Sequence, residues 1–418
     1  LVREHDDVLY CAAMPPKPSR PRRALSSHGG RIVSSGDPRW RRLLGEALAI
    51  PDDADARELT HGFHSYPARF HPLLCRRLLA ETARAGTVVL DPFVGSGTSL
   101  VEAALRGASG RGVDANPLAV DLAALKATPV PAAARARLAT RAADVAARSL
   151  ERVKKRARTR STGEQYDDPT RYMPHVFREL VGLREEIESE AEPIRGALLL
   201  VLSSILVKVS RQKADTSGRT VERAIGKGNP SRLFQRKAEE LTRGMAAFAA
   251  AVPRGTPAPD VRLGDARKLG HIADRSVDVI LTSPPYLGTY DYGTHHARRF
   301  GWLGVDASRF AVIEIGARRG TRDQASKAIA DWQRDVDAFV AEFARVLKRG
   351  ALAFIAIGDS AVGNRAVAGD SAIRAAAERA GLHVLANAAE ERPNFYRHAG
   401  GETRREHLLL VTNVKPTV

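Results

Sequence analysis

The stretch from Thr87 to Asn116 restricts the fold more than any other part of this chain. Thr87-Val-Val-Leu90 reads as a short buried strand, Asp91-Pro-Phe-Val-Gly-Ser-Gly-Thr98 as a glycine loop, and the run through Ala104 and Leu105 as a helix. A strand that ends in a glycine loop and passes into a helix opens a doubly wound α/β domain. Gly110-Arg-Gly-Val-Asp114 is the next strand, and Asn116-Pro117 starts another helix, because proline is accepted in a first helical turn. From about Lys126 to Pro259 the strand signals vanish and Ala, Arg and Glu recur at helical spacing. Strand character returns at Val261-Arg-Leu263, Val277-Asp-Val-Ile-Leu281, Leu352 to Ile357, Leu382-His-Val-Leu385 and His407-Leu-Leu-Leu-Val411. The expected fold class is therefore α/β, with a doubly wound, mostly parallel, seven-stranded Rossmann-like sheet and a helical insertion. The expected organisation is a basic, largely disordered tail over 1–60, a first part of the α/β domain over 61–125, the insertion over 126–259 and the second part over 260–418.

Composition narrows the class of partner. Lys and Arg number 65 against 48 acidic residues, a formal charge of +17, which suits a polyanion; an arginine-rich coding bias accounts for part of it. Cys11 and Cys75 are far apart and lack companions at metal-ligand spacing, so neither a disulfide framework nor a structural zinc is indicated. The apolar run Ala197 to Val209 is interrupted by Ser203, Ser204 and Lys208 and falls short of the roughly 20 residues of a membrane span; it reads as a core helix. Leu1 to Ala13 lacks the plan of a signal peptide, Met14 is a candidate start, and a cytoplasmic location is expected. Pro15 to about Pro38, rich in Pro, Arg, Ser and Gly, reads as a mobile arm, either a DNA tether or a spacer.

The candidate chemistry lies at strand ends. In Asp91 to Thr98 the loop residues Pro92, Phe93, Gly95, Ser96, Gly97 and Thr98 bring backbone and a helix N-terminus close to a ligand. The spacing matches neither a dinucleotide fingerprint nor a phosphate loop, and the carboxylate of Asp91 suits a cationic or amine-bearing ligand such as S-adenosylmethionine. Asp114 either caps the helix opened by Asn116 or accepts from both ribose hydroxyls; beside the glycine loop, ribose binding is the expectation. Asp265 is either a turn residue or the adenine contact. After the strand ending at Leu281 comes Thr282-Ser-Pro-Pro-Tyr286. Pro284 and Pro285 remove two N–H donors and fix the backbone, so the loop presents carbonyl oxygens beside Ser283. Such an array can hold both hydrogens of an aromatic amino group and aim its lone pair at a methyl donor, with Tyr286 as a stacking face. Tyr290, Asp291 and Tyr292 are expected to flank the pocket. His295 and His296 are adjacent and without a carboxylate partner in the sequence, and no metal is expected.

At these residues the chain resembles the DNA amino-methyltransferases, in particular the branch that makes N4-methylcytosine, in which Asp-Pro-Phe-x-Gly-Ser-Gly-Thr is paired with Thr-Ser-Pro-Pro-Tyr. Tyr66-Pro-Ala-Arg-Phe70 resembles the element that precedes the glycine loop in these enzymes and closes over the cofactor, which brings in Tyr66 and Phe70. The resemblance covers roughly Gly62 to Ala127 and Asp260 to Asn413. It implies S-adenosylmethionine as cofactor, double-stranded DNA with the target base flipped out as substrate, direct transfer to N4, and a restriction endonuclease as a candidate partner. N6-adenine methylation, guanine-N2 methylation of RNA and a non-catalytic nucleic-acid-binding protein are the alternatives. Cytosine C5 methylation is disfavoured, because it needs a cysteine nucleophile and Cys75 sits in a helical pattern. The insertion occupies an unusual place for a recognition region, and its basic stretch, with Arg211, Lys213, Arg219, Arg223 and Lys227, is the expected DNA contact.

Overall fold

The computed structural model describes residues 29–51, 55–213, 215, 220–317, 324–392 and 403–415. The strands are β1 (Ile32–Gly36), β2 (Val88–Asp91), β3 (Ser109–Asp114), β4 (Asp260–Leu263), β5 (Val277–Thr282), β6 (Leu347–Gly358), β7 (Ser360–Val362), β8 (Arg365–Val367), β9 (His383–Glu391) and β10 (Arg405–Thr412). Eight of them form one sheet in the order β1-β9-β10-β6-β5-β2-β3-β4, and β7 and β8 form a separate hairpin. From β4 to β6 every pairing is parallel, while β10 runs antiparallel to both β6 and β9. The order reverses direction beside β2, so the ends of β2, β3 and β5 border the crevice where a doubly wound sheet receives its ligand.

The sheet has one strand more than expected, and it comes from the segment expected to be a tail. β1 pairs antiparallel with β9, and the helix α1 (Pro38–Leu48) begins at Asp37, whose carboxylate accepts from the backbone N–H groups of Arg39 and Trp40. Leu44 and Leu48 on α1 are buried against the sheet, each contributing on the order of 1.5–3 kcal/mol. Ile-Val-Ser-Ser-Gly is a short edge strand with mostly exposed side chains, so it carries little of the alternation that marks a half-buried strand.

Helices cover both faces. α2 (Pro72–Thr82) joins α1 on one face, with α3 (Thr98–Leu105) beside it and α4 (Pro117–Ala127) packed against α3. Between β3 and β4 lie α5 (Ala132–Lys154), α6 (Pro174–Glu188), α7 (Ile194–Ile205) and α8 (Asn229–Ala251), which contain the apolar run noted at Ala197 to Val209. After β5 come α9 (Tyr292–Leu303), α10 (Ser308–Ile313) and α11 (Ala325–Val346), and α12 (Gly369–Arg379) precedes β9. α11 and α12 pack on the opposite face, with Phe339, Phe343 and Ile373 in the core. The inserted helices build a second core, in which Leu180, Val201 and Phe234 meet Leu118 of α4 and Phe300 and Trp302 of α9. The insertion is thereby packed onto the helix that follows the Thr282–Tyr286 loop. No helix among the described residues is long and apolar enough to cross a membrane.

Candidate active site

A cavity of about 850 Å³ opens at the ends of β2, β3, β4 and β5. Its wall includes Tyr66, Phe70, Asp91, Pro92, Phe93, Gly95, Ser96, Thr98, Asp114, Asn116, Asp265, Ser283 and Pro285, and so gathers most of the residues expected to act together. Gly97, Pro284 and Tyr286 are not among the lining residues. Gly97 is the residue from which α3 starts, with φ 80°; a Cβ there would stand 2.7 Å from the Cα of Ala123, so the turn and the close approach of α4 both require glycine. Gly95, with φ 49°, lies under the Tyr66 ring, whose Cε1 would be 3.3 Å from an added Cβ.

The two aspartates of the floor have opposite fates. Asp91 is buried and turned inward: Ser99 Oγ donates to Oδ2, Thr282 Oγ1 donates to Oδ1 at 2.7 Å, and the Phe93 N–H donates at 3.1 Å. Asp91 thus ties the glycine loop to the first residue of the Thr282–Tyr286 loop while lying on the cavity wall. Asp114 receives the Gly95 N–H at 2.8 Å and the Asn116 N–H at 2.8 Å, and its remaining acceptor capacity faces the cavity. Burial pushes both carboxyls up to about 6, against the hydrogen bonds that favour the charged form. Asp265 lies on the wall but is already paired with Arg267, through its Nη2 at 2.8 Å and its Nε at 2.9 Å. Burial works to raise its carboxyl, and these bonds outweigh it and hold it below its ordinary range.

In the Thr282–Tyr286 loop, the Pro285 carbonyl accepts from the Trp332 indole N–H at 3.2 Å. Of the expected acceptors this leaves Ser283 Oγ, on the cavity wall, and the Pro284 carbonyl. Tyr286 stands behind the wall, with its ring against Gly358 and its hydroxyl 3.2 Å from Glu406 Oε1 and 3.4 Å from Ser283 Oγ. Its hydroxyl lies beside Ser283, and the residue itself is half-buried. Cys75 is buried on α2 against the sheet and takes no part in the wall.

Several wall residues have no counterpart in the expected set. Tyr292, which was expected to flank the pocket, does line it, and is joined by Arg69, Phe310, Ile313 and Glu314. Tyr66 stacks on His296 (centroids 5.0 Å apart, planes 27° apart) and on Tyr292 (6.2 Å, 26°), giving the cavity an aromatic roof. Asp291 caps α9 by accepting from the Thr294 N–H at 2.9 Å. Two arginines on α9 are buried and paired with the insertion: Arg298 with Asp167 at 3.2 Å, and Arg299 with Asp215, which also lies 3.5 Å from His295. His64 reaches Ser203 of α7 at 3.0 Å. A buried lysine, Lys126, lies beneath the glycine loop. At a helix end it reads in the sequence as a solvated residue, and no spacing signal distinguishes it.

The basic stretch lies outside the cavity wall. Arg211, Lys213 and Lys227 are exposed, Arg223 donates to the Val207 and Lys208 carbonyls, and Arg219 falls outside the described residues.

Residues 64–167 match the family model for the RMKL-like methyltransferase domain, UPF0020. The type II methyltransferase M.MvaI of Kocuria varians is 38% identical over 81 residues, 19% of this chain and 18% of that protein. M.MjaII of Methanocaldococcus jannaschii, also a type II methyltransferase, is 36% identical over 93 residues, 21% of this chain and 18% of the relative. The chain thus spans less than a fifth of the length of either relative. Among solved structures, TrmN from Thermus thermophilus is similar at 14% identity, with 82% of this chain and 49% of that one covered and a TM-score of 0.31.

A mostly parallel sheet with its cavity at the strand ends is a Rossmann-like fold, and the segment around its glycine loop is similar to a methyltransferase domain. The likeness to methyltransferases covers residues 64–167 and, in each relative, about a fifth of this chain. The wall suits S-adenosylmethionine: Thr98 Oγ1 is buried there with no partner among the described residues, and Asp114 retains acceptors for a ribose.

Proposed function

We propose that this protein methylates DNA at the exocyclic N4 of cytosine. The observation that carries the reading is the Thr282–Asp91 hydrogen bond, which ties the residue before Ser283 to the glycine loop, with Ser283 on the cavity wall. An exocyclic amine is a poor nucleophile while its lone pair is shared with the ring. Ser283 Oγ and the Pro284 carbonyl accept its two hydrogens, turn the lone pair out of the ring plane and hold it toward the methyl group. The cofactor supplies an electrophilic methyl on a sulfonium, which leaves as a neutral thioether when the base nitrogen takes the methyl. The nitrogen then releases one proton to water. Neither a protein nucleophile nor a thiol is needed, which agrees with the burial of Cys75.

A base inside a duplex cannot reach the floor, so the substrate base is extruded. The charge of +17 suits DNA, and the exposed Arg211, Lys213 and Lys227 are the phosphate contacts of this reading. The likeness to two type II methyltransferases supports DNA as the polymer in this reading, and a restriction endonuclease companion is part of the same proposal. The test is to incubate the purified protein and methyl donor with DNA and, separately, with RNA, digest each to nucleosides and identify the product by mass spectrometry. N4-methyldeoxycytidine from DNA is expected. N6-methyldeoxyadenosine, or methylation of RNA alone, would replace the assignment.

A further inference from the structure

Lys126 is fully buried at the end of α4, and its ammonium has no carboxylate within ion-pair distance among the described residues. It donates to the Ser96 carbonyl at 2.7 Å and lies 3.3 Å from Ser96 Oγ. Ser96 lines the cavity, and the next wall residue is Thr98, whose buried hydroxyl has no partner among the described residues. An ammonium removed from water without a counter-charge is costly, so such a group is normally paired. Here the start of α3 and the Thr98 hydroxyl lie at one end of the cavity, and the ammonium is held behind them on Ser96; all three favour negative charge. With Asp114 as the ribose partner of the proposed reading, the amino-acid end of the cofactor would point toward this loop.

We propose that Lys126 is a positioning residue that shapes the Ser96–Thr98 turn and supplies, from behind it, the positive charge that selects the carboxylate of the methyl donor. The counter-charge missing from the protein is then provided by the ligand. This inference rests only on the cofactor, so it holds whichever polymer or base is methylated.

The surroundings of Lys126 keep its charge distinct from its neighbours. Arg69 adds positive charge nearby, and burial pushes the ammonium down to about 7. Burial likewise holds the imidazoles of His61 and His64 below their ordinary value, so both are neutral near pH 7. Glu102, the nearest acid in that layer, is engaged by His61 and Arg76. Asp91 and Asp114 are pushed up to about 6, so their titration overlaps the lower part of the Lys126 range, and both touch the two ligands alike.

The test is calorimetric binding of S-adenosylmethionine and of decarboxylated S-adenosylmethionine, which keeps the sulfonium, nucleoside and amine and lacks only the carboxylate. Lys126→Met is expected to weaken S-adenosylmethionine about 10- to 50-fold, as for one unit charge several ångströms away in a partly screened interior, and to leave the decarboxylated ligand within about twofold, by the same charge argument. Equal weakening of both ligands would show a merely structural role and overturn the proposal, as would no change in either. The wild-type protein provides a second measurement that needs no variant to fold. Its preference for the carboxylate-bearing ligand is expected to fall as pH rises through about 7 and Lys126 loses its proton. A preference unchanged between pH 6 and 8.5 contradicts the assignment.

Discussion

The floor of the cavity is made of strand ends, whereas its roof is assembled from side chains recruited across the chain. Asp91, Asp114 and Ser283 stand at or just beyond the ends of β2, β3 and β5, where the sheet fixes their spacing. Tyr66, Tyr292 and Phe310 have no such frame. α9 is held by the insertion through Arg298–Asp167 and Arg299–Asp215, and by apolar contacts of Phe300 and Trp302. The floor is therefore stiff because of the fold, and the roof because of specific buried pairs. Damage to the roof should appear as lost stability and damage to the floor as lost binding or chemistry.

The largest stability effect is expected from breaking a roof pair. Asp167 also accepts from Tyr172 Oη at 2.8 Å and from Arg171. Asp167→Ala leaves Arg298 buried without its counter-charge and should cost roughly 3–5 kcal/mol, read by denaturant unfolding. A loss within a few tenths of a kcal/mol would mean that the insertion is not coupled to α9 in this way.

On the floor, Asp114→Asn keeps the shape of the side chain but removes its charge. It should weaken S-adenosylmethionine by about tenfold or more, the worth of a hydrogen bond to a charged acceptor. The wild-type protein carries out a milder version of this substitution. Because the Asp114 carboxyl is raised to about 6, its charge is present above that pH and is lost as pH falls through it. Cofactor affinity should therefore decline between about pH 7 and 5. The sign for stability is the reverse. In that same interval the folded state binds the proton more readily than the unfolded chain, so this group stabilises the fold as pH falls. A cofactor affinity that is flat over the interval would place the ribose elsewhere.

The same division explains how much was legible in the sequence. Floor residues announce themselves, because glycine, proline and acid at a strand end have local physical causes: Gly97 is required by its φ and by Ala123, and Pro284-Pro285 by the loss of donors. The roof depends on pairings such as His64–Ser203 and Arg298–Asp167, more than a hundred residues apart, which helical periodicity does not encode. Lys126 belongs to the same category, since nothing in Ala-Leu-Lys-Ala127 separates a buried ammonium from a solvated one. β1 was obscured by the polar and arginine-rich composition around it, although Leu44 and Leu48 of the following helix carry an apolar face.

Fixation of the amino group by Ser283 on a floor that binds the cofactor independently is tested most directly by one comparison. Ser283→Ala should be measured for S-adenosylmethionine affinity by calorimetry and for single-turnover methyl transfer to DNA. The expected result is a Kd within about twofold of wild type and a transfer rate lower by on the order of 10²–10³, as for removal of a hydrogen-bonding group acting in the transition state. Full transfer activity, or a rate loss matched by an equal loss of cofactor affinity, would contradict it.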